Sequence, residues 1–293
     1  MPLSTSSFDE SRWSRLRAIA LTAIGVLVLY GLIVQVWAPP IEIGQNGEVT
    51  TRIRMERYLD AAASAPIVLV GSSLSVRLTD ADLGPSVSNL GITGGSALTG
   101  LDILARSHQH PRTVVIEADL LSRPIDEDLV GILFREPWAS LRSRFKALQY
   151  RYRPMNLIYA LLKARHGDPP EPDVPPAVFQ LLLQDQIKSQ SQLLDTAGIN
   201  DRVAEMRDLV KRLSARGVEQ VFMTIPVDPV LVQLPQMSQV RQALETAFPK
   251  SQYCWVSPTL PGTPRTRDGL HLVQADAAVV AAQVKTLVEA CGR

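Results

Sequence analysis

Two separate segments of the chain contain residues of the types that catalyse acyl transfer. Ser73 comes directly after the apolar run Ile67–Val70 and the small pair Gly-Ser. Near the C-terminus, Asp268 stands three residues before His271. A serine attacks a carbonyl when a histidine removes its proton and a carboxylate orients that histidine. These types and spacings are typical of a serine nucleophile at the Gly-Ser-Ser turn, with His271 as its base and Asp268 as the acid that orients it. The alternative is that Gly-Ser-Ser only caps a helix and that the histidine is structural.

A third segment is rich in glycine and follows a second apolar run, Val87–Leu90. It reads Asn-Leu-Gly-Ile-Thr-Gly-Gly-Ser over 89–96, and glycines of this kind allow backbone N–H groups to face a developing oxyanion. A phosphate cradle is the competing interpretation. The sequence has no Gly-Lys-Ser/Thr and no Gly-x-Gly-x-x-Gly pattern, which disfavours nucleotide binding. A nucleotide-binding α/β domain would be expected to gain thermal stability from nucleotides.

These segments need a scaffold that brings them together, and the order of apolar runs predicts one. Short runs typical of strands buried on both faces occur at 67–70, 87–90, 113–117, 220–225 and 252–256. Helical patterns occur at 54–65, 97–107, 199–216, 237–247 and 274–290. This alternation predicts an α/β fold, a three-layer doubly wound parallel sheet of flavodoxin-like type, in which the carboxyl ends of the strands gather the site.

One long interval, at about 122–195, interrupts the alternation and predicts a helical insertion. It is rich in aromatic and cationic residues, and Leu141, Phe145, Leu148 and Tyr152 fall on one face of a predicted helix. One interpretation is a solvated insertion whose aromatics pack on the sheet. The other is a lid, or a basic and aromatic surface for an anionic membrane face or a glycan.

The N-terminal part of the chain predicts a membrane anchor. Residues 18–37 carry no charge and match the roughly 20 residues that cross a bilayer, with Arg12, Arg15 and Arg17 just before them. The cationic flank predicts an inner-membrane protein with a single span and an exported, periplasmic C-terminal part. A cleaved signal peptide and a buried core helix are the alternatives.

The sequence as a whole predicts an ordered globular domain behind this anchor. Hydrophobic residues make up 46% of the chain and the net charge is +1, so neither disorder nor nucleic-acid binding is indicated. The predicted organisation is a cytoplasmic N-terminus at 1–17, an anchor at 18–37, a linker at 38–55 and one domain at 56–293. Cys254 and Cys291 are too few for a disulfide scaffold and lack the spacing of a zinc site, and after export they are candidates for one disulfide.

Together, the three segments resemble the SGNH (GDSL-like) hydrolase superfamily. The resemblance covers roughly 67–290 and matches Ser73 to the nucleophile and Ser72 to the aspartate of Gly-Asp-Ser. It matches His271 and Asp268 to the base and its acid. The N–H groups of Ser73 and Gly94 correspond to the oxyanion hole. This resemblance implies hydrolysis or transfer of acyl groups through an acyl-serine, with no metal and no organic cofactor.

The sequence departs from this family in the segment after the third strand. The family places an asparagine there, whose amide donates to the oxyanion, and the segment Val114–Arg123 contains none. Loss of one such donor typically lowers the rate about 100- to 1000-fold. Three alternatives follow: Ser122, Arg123 or a residue of the insertion replaces the asparagine, the site is slow, or the site no longer does chemistry. Glu117 and Asp119, near the same strand end, are candidates for binding a sugar hydroxyl or are simply strand-end polar residues.

The predicted anchor narrows the resemblance to exported, membrane-bound members of the superfamily. These resemble proteins of teichoic-acid D-alanylation and of exopolysaccharide O-acetylation, which work beside a multipass membrane O-acyltransferase. The resemblance therefore implies a serine acyltransferase or esterase acting on O-acyl groups of a cell-envelope glycan. The alternative is a non-catalytic protein of the same fold that binds a glycan or such a membrane partner.

Overall fold

A computed structural model of the chain describes residues 7–39, 41, 47–63, 65–166 and 171–292. Parts of the predicted N-terminus, linker and insertion (1–6, 40, 42–46 and 167–170) lie outside the described residues. The strands are β1 (Ile67–Gly71), β2 (Val87–Gly91), β3 (Thr113–Glu117), β4 (Glu219–Met223) and β5 (Cys254–Val256). The helices are α1 (Ser7–Val36), α2 (Gly47–Leu59), α3 (Ser73–Val76), α4 (Asp80–Leu83), α5 (Ala97–Arg106), α6 (Glu127–Phe134), α7 (Trp138–Arg144), α8 (Pro154–His166), α9 (Pro176–Gln190), α10 (Thr196–Ala215), α11 (Pro229–Val232), α12 (Pro235–Ala247) and α13 (Gln274–Cys291).

The five strands form one parallel sheet in the order β2-β1-β3-β4-β5. The chain leaves β1 toward one edge of the sheet and leaves β3 toward the other. In doubly wound sheets the crevice at such a reversal, outside the carboxyl ends of the strands, is where ligands bind. The predicted doubly wound α/β fold is therefore confirmed, and its switch point lies between β1 and β3.

Helices cover both faces of the sheet and make two cores. Along β1, Val68 and Val70 pack into the core that includes residues of α5 and α10, whereas Ile67 and Leu69 pack into the core that includes residues of α13. Every residue of β1 and of β3 is buried. The continuous apolar runs in the sequence thus mark strands that are covered on both faces.

Helix α2 lies further toward the N-terminus than its sequence pattern predicts. It covers Gly47–Leu59 instead of 54–65 and so occupies part of the stretch predicted as linker. Its early start has a physical reason, because Ile53 is fully buried in a small cluster with Val34 and Tyr152. The helix joins α1, the insertion and the domain.

The insertion is helical, but the predicted amphipathic helix through Tyr152 is wrong. Helix α7 ends at Arg144, and two 3₁₀ turns, Lys146–Leu148 and Tyr150–Tyr152, follow it. Phe145 and Leu148 are exposed, whereas Tyr152 is buried beside Val34 of α1. Packing of Tyr152 against α1 requires the chain to turn at a point where a continuous helix would carry Tyr152 past it.

Helix α1 is long and apolar enough to cross a membrane. Its segment Trp13–Val36 has a mean hydropathy of 2.4, and only 6% of its most apolar part is buried. This exposure excludes the interpretation as a core helix of the fold. At its C-terminal end, Gln35 Oε1 accepts the Lys146 N–H at 3.0 Å, so the end of α1 contacts the insertion.

Cys254 and Cys291 form a disulfide, with their Cα atoms 5.9 Å apart. Cys254 begins β5 and Cys291 ends α13. The bond therefore ties the last helix to the edge strand β5, which β3 and β4 separate from β1.

Candidate active site

Ser73 lies on a sharp turn between β1 and α3. Ser72 caps α3, since its Oγ accepts the Leu74 N–H at 3.2 Å, and Ser73 is the first helical residue. Gly71, the last residue of β1, leaves no room for a side chain. A Cβ at this position would lie 2.0 Å from Ser75 Oγ and 2.5 Å from Glu117 Oε2. The small residue before the two serines is thus a requirement of the turn.

The three residues predicted for catalysis are joined by hydrogen bonds. His271 Nε2 lies 2.8 Å from Ser73 Oγ, and His271 Nδ1 lies 2.6 Å from Asp268 Oδ2. Because an ionised carboxylate only accepts hydrogen bonds, His271 Nδ1 carries the proton and Nε2 offers its lone pair to the Ser73 hydroxyl. This is the arrangement that makes a serine nucleophilic.

Asp268 is held as the charged partner of the histidine. Its Oδ1 accepts the backbone N–H groups of Leu270 at 2.9 Å and His271 at 2.8 Å. Burial raises the pKa of Asp268, but the hydrogen bonds from His271 and Leu270 outweigh the effect of burial, so the pKa lies below its ordinary value. The carboxylate therefore stays ionised and fixes both the ring orientation and the tautomer of His271.

Glu117 lies under the nucleophile turn and holds it from the neighbouring strand. Its carboxylate accepts four hydrogen bonds: from Ser72 Oγ and N–H at 2.6 and 2.8 Å, and from Ser75 Oγ and N–H at 2.6 and 3.2 Å. Burial raises the pKa of Glu117, and these bonds oppose the rise. The carboxylate is 1% exposed, so it has no surface for a sugar hydroxyl, and that expectation is wrong.

Two backbone N–H groups remain the candidates for the oxyanion hole. Gly94 has a φ of 71°, and the preceding Thr93 lines the same cavity as Ser73 and His271. Within the part of the chain that the structure describes, the N–H groups of Ser73 and Gly94 donate to no protein acceptor. Their role as oxyanion donors stays a prediction, and both donors are available for it.

The segment after β3 contributes no third donor that lines the cavity. Asp119 is 4% exposed, and its Oδ2 accepts the Ile225 N–H at 2.6 Å, so it too is unsuited to binding a sugar. Burial, together with the nearby Glu117, raises the pKa of Asp119 to about 8. Ser122 and Arg123 are not among the described residues that line the cavity around Ser73. The departure from the family pattern is therefore not compensated by either of them.

The cavity also contains residues that the sequence did not identify. It has a volume of about 480 Å³, and one side is lined by the insertion from Asp173 to Leu182. Glu171, just before this stretch, forms ion pairs with Arg77 at 2.5 Å and with Arg267 at 2.7 Å. Arg77 is the C-cap of α3, which begins at Ser73, and Arg267 directly precedes Asp268. Their positions next to the two motifs are the feature of the sequence that could have identified them as residues of the site.

The solved structures that are similar to this chain include two from bacteria. A candidate acylhydrolase from Bacteroides fragilis is 13% identical, with a TM-score of 0.42, and the match covers 82% of this chain and 98% of that one. A candidate arylesterase from Agrobacterium tumefaciens is 11% identical, with a TM-score of 0.38, covering 77% and 98%. No family model and no curated protein matches the chain. Similarity at this level carries no argument about function, which we derive from the site.

Proposed function

We propose that the protein is a membrane-anchored, outward-facing serine acyltransferase or esterase that acts on O-acyl groups of a cell-envelope glycan. One observation carries the catalytic part of this proposal. Ser73, His271 and Asp268 form a continuous chain of hydrogen bonds at 2.8 and 2.6 Å, and the chain lies at the switch point of the sheet. A histidine whose two ring nitrogens bind a serine hydroxyl and a carboxylate is typical of a nucleophile–base–acid site, and a purely structural histidine does not require both partners.

The geometry supports a two-step transfer. Ser73 Oγ attacks the acyl carbonyl carbon while His271 Nε2 takes the hydroxyl proton, and the carbonyl oxygen becomes the tetrahedral anion. Collapse of this anion breaks the ester bond, and the leaving alcohol takes the proton from His271. A second hydroxyl then attacks the carbonyl carbon of the acyl-Ser73 ester and gives its proton to His271. The bond from this carbon to Ser73 Oγ breaks, and His271 passes the proton to Ser73 Oγ. Transfer results when this hydroxyl belongs to a glycan, and hydrolysis when it belongs to water.

The location beside a membrane is supported by α1 and by what its end contacts. The span Trp13–Val36 is apolar and exposed, and its last turns pack against the insertion through Val34 and Tyr152. Arg15 and Arg17 precede the most apolar part, which favours a cytoplasmic N-terminus and an exported domain. A site held close to the membrane suits an enzyme that receives acyl groups from a multipass membrane O-acyltransferase.

A second candidate is a non-catalytic protein that kept the fold and binds a glycan or such a membrane partner. It is favoured by one specific observation, the lack of an asparagine after β3, since Val114–Arg123 has none. The intact hydrogen bonds between Ser73 and His271 count against it. The two candidates differ in whether Ser73 reacts.

Reactivity of Ser73 is tested on the full-length chain in detergent. A fluorophosphonate probe is expected to label Ser73, identified by peptide mass spectrometry, and labelling should vanish in Ser73→Ala and His271→Ala. Ser143→Ala, on the exposed surface of α7, is the matched control and should label normally. No labelling of a folded protein beside an active control hydrolase would favour the binding protein. For the acceptor, an activated ester is supplied with envelope oligosaccharides, and acylated sugar is measured against free acid.

A further inference from the structure

The cavity in front of Ser73 has one strongly apolar wall. Five apolar side chains line it: Val76, Val174, Pro175, Val178 and Leu182. Four of these belong to the insertion, and two stand one turn apart on α9. With a volume of about 480 Å³ the cavity is within the size range of small-molecule sites, which are typically lined by apolar side chains with a few polar groups.

This wall is fixed to the catalytic residues through Glu171. Its carboxylate pairs with Arg77 and Arg267, and it also accepts the Gln274 N–H at 2.8 Å. Arg77 in turn donates to the Leu272 carbonyl at 2.8 Å, next to His271. Burial raises the pKa of Glu171, but these hydrogen bonds outweigh it, so its pKa lies below the ordinary value and it stays charged. One carboxylate therefore joins the insertion to the segments that carry Ser73 and His271.

Helix α9 also packs directly on the catalytic loop. Gly269, between Asp268 and Leu270, has a φ of 94°, and a Cβ there would lie 2.6 Å from Leu183 Cδ1. Leu183 packs against the same core as α13. Leu182, one residue earlier, lines the cavity and is 38% exposed. The apolar wall is thus held at a set distance from the reacting atoms.

The chemistry of this wall decides which acyl group suits it. An acyl carbonyl within reach of Ser73 Oγ has its substituent in the same cavity. The single methyl of an acetyl group covers little of the wall, whereas a longer apolar chain removes more of it from water. We propose that the cavity binds an apolar acyl chain longer than acetyl along the wall from Val174 to Leu182, and so sets the acyl group that is transferred. This inference rests on the proposed serine acyl transfer.

Chain-length preference tests the inference in the full-length protein. Para-nitrophenyl acetate, butyrate and hexanoate are compared at one detergent concentration. The kcat/KM is expected to rise with chain length, by about fourfold for each methylene that is buried against the wall. Leu182→Trp fills the cavity and should lower the hexanoate-to-acetate ratio about tenfold. Leu181→Trp is the matched control, because Leu181 is the neighbouring residue on α9, is 63% exposed and does not line the cavity.

A binding measurement separates this inference from the proposed function. In Ser73→Ala, which cannot form an acyl-enzyme, hexanoate should bind more tightly than acetate by calorimetry, and Leu182→Trp in the same background should remove the difference. Equal affinities for hexanoate and acetate would overturn the acyl-chain site even in an active enzyme. The same holds if Leu182→Trp and Leu181→Trp give the same hexanoate-to-acetate ratio of kcat/KM. Absence of Ser73-dependent turnover with selective hexanoate binding would instead overturn the catalytic function alone.

Discussion

Glu117 Oε1 lies 2.6 Å from Ser72 Oγ, so the end of β3 is hydrogen-bonded to the residue that precedes the nucleophile. The other oxygen of the same carboxylate accepts from Ser75 on the far side of Ser73. Residues before and after the nucleophile are thus held by one buried group on a neighbouring strand. Glu117 is a positioning residue for Ser73, since it acts on the turn and touches no reacting atom.

Glu117→Gln should therefore weaken both folding and catalysis. The glutamine amide has a similar shape, but its nitrogen donates and cannot accept, so buried donors of Ser72 or Ser75 lose their partner. We expect a loss of about 1–3 kcal/mol in unfolding free energy for each donor left unsatisfied. We expect Ser73 labelling to slow by up to about 100-fold, because small displacements of a nucleophile have large kinetic effects. Chemical denaturation and fluorophosphonate labelling rates measure the two.

Ser75→Ala is the graded comparison for this variant. It removes one hydrogen bond to Glu117 and leaves the bonds of Ser72 intact. Its stability loss should be about 0.5–1.5 kcal/mol, with a smaller effect on labelling. If Glu117→Gln matches the wild type in both stability and labelling rate, the positioning role is wrong.

A second prediction concerns Asp119 and the pH dependence of stability. Its pKa is raised from the ordinary 3.8 to about 8 by burial and by Glu117. The folded state therefore holds this proton more tightly than the unfolded state does. The resulting contribution to stability is fully present below pH 3.8, falls as the pH rises toward 8 and is lost above it. Asp119→Asn is neutral throughout and still offers an oxygen to the Ile225 N–H.

We expect Asp119→Asn to gain stability relative to the wild type as the pH rises through this window. Urea unfolding at several pH values measures the difference. The raised pKa of Glu117 acts with the same sign and persists in the variant, so some pH dependence remains. A constant difference between the two proteins from acidic to alkaline pH would contradict the prediction.

The three candidate catalytic residues could be predicted from the sequence for a physical reason. Each is adjacent to an element with a clear local pattern: Ser73 follows a buried apolar strand, and Asp268 and His271 precede the last amphipathic helix. A parallel sheet brings such ends to one edge whatever the loop lengths, so the 198-residue separation of Ser73 from His271 did not matter.

Other parts of the site depend on partners that no local pattern reveals. Glu171 looks like any solvated carboxylate in a proline-rich segment, and its pairing with Arg77 spans 94 residues of chain. The helix predicted through Tyr152 is interrupted for the same reason. Its apolar pattern does not show that Tyr152 packs against α1 and not against the sheet. The role of Glu117 could not be predicted, because the sequence near the end of β3 does not show that the hydroxyl and N–H groups of Ser72 and Ser75 donate to this carboxylate.

We expect the disulfide to stabilise the folded protein without affecting the reactivity of Ser73. Cys254 and Cys291 are 37 residues apart, and closing a loop of this size typically contributes about 2–4 kcal/mol. The bond lies at the edge strand β5, whereas Ser73 follows β1, and β3 and β4 lie between these two strands. Reduction, or Cys291→Ser, should therefore lower the urea midpoint and leave the Ser73 labelling rate in the folded protein unchanged. Equal loss of labelling and stability under native conditions would show that the bond supports the site.

The final prediction concerns how deeply the insertion lies at the membrane. Helix α8 exposes four large apolar side chains over 13 residues: Met155, Ile158, Leu161 and Leu162. Leu157 of the same helix packs in the cluster with Val34 near the end of α1, the helix that we propose as the membrane anchor. If α1 is the anchor, the exposed apolar face of α8 is expected to lie in the headgroup region, where the nearby cations Arg151 and Arg153 meet anionic lipid.

Depth-dependent quenching of a fluorophore tests this in the full-length protein in nanodiscs. The native cysteines form a disulfide, so bimane attached to Ile158→Cys reports on α8 alone. Lipids that carry nitroxides near the headgroup should quench it strongly. Leu193→Cys, in the exposed connection after α9, is the control with similar exposure in the protein and should be quenched little. Equal weak quenching at both sites would mean that α8 faces water or a protein partner, and strong quenching at both would mean that the whole insertion lies on the membrane.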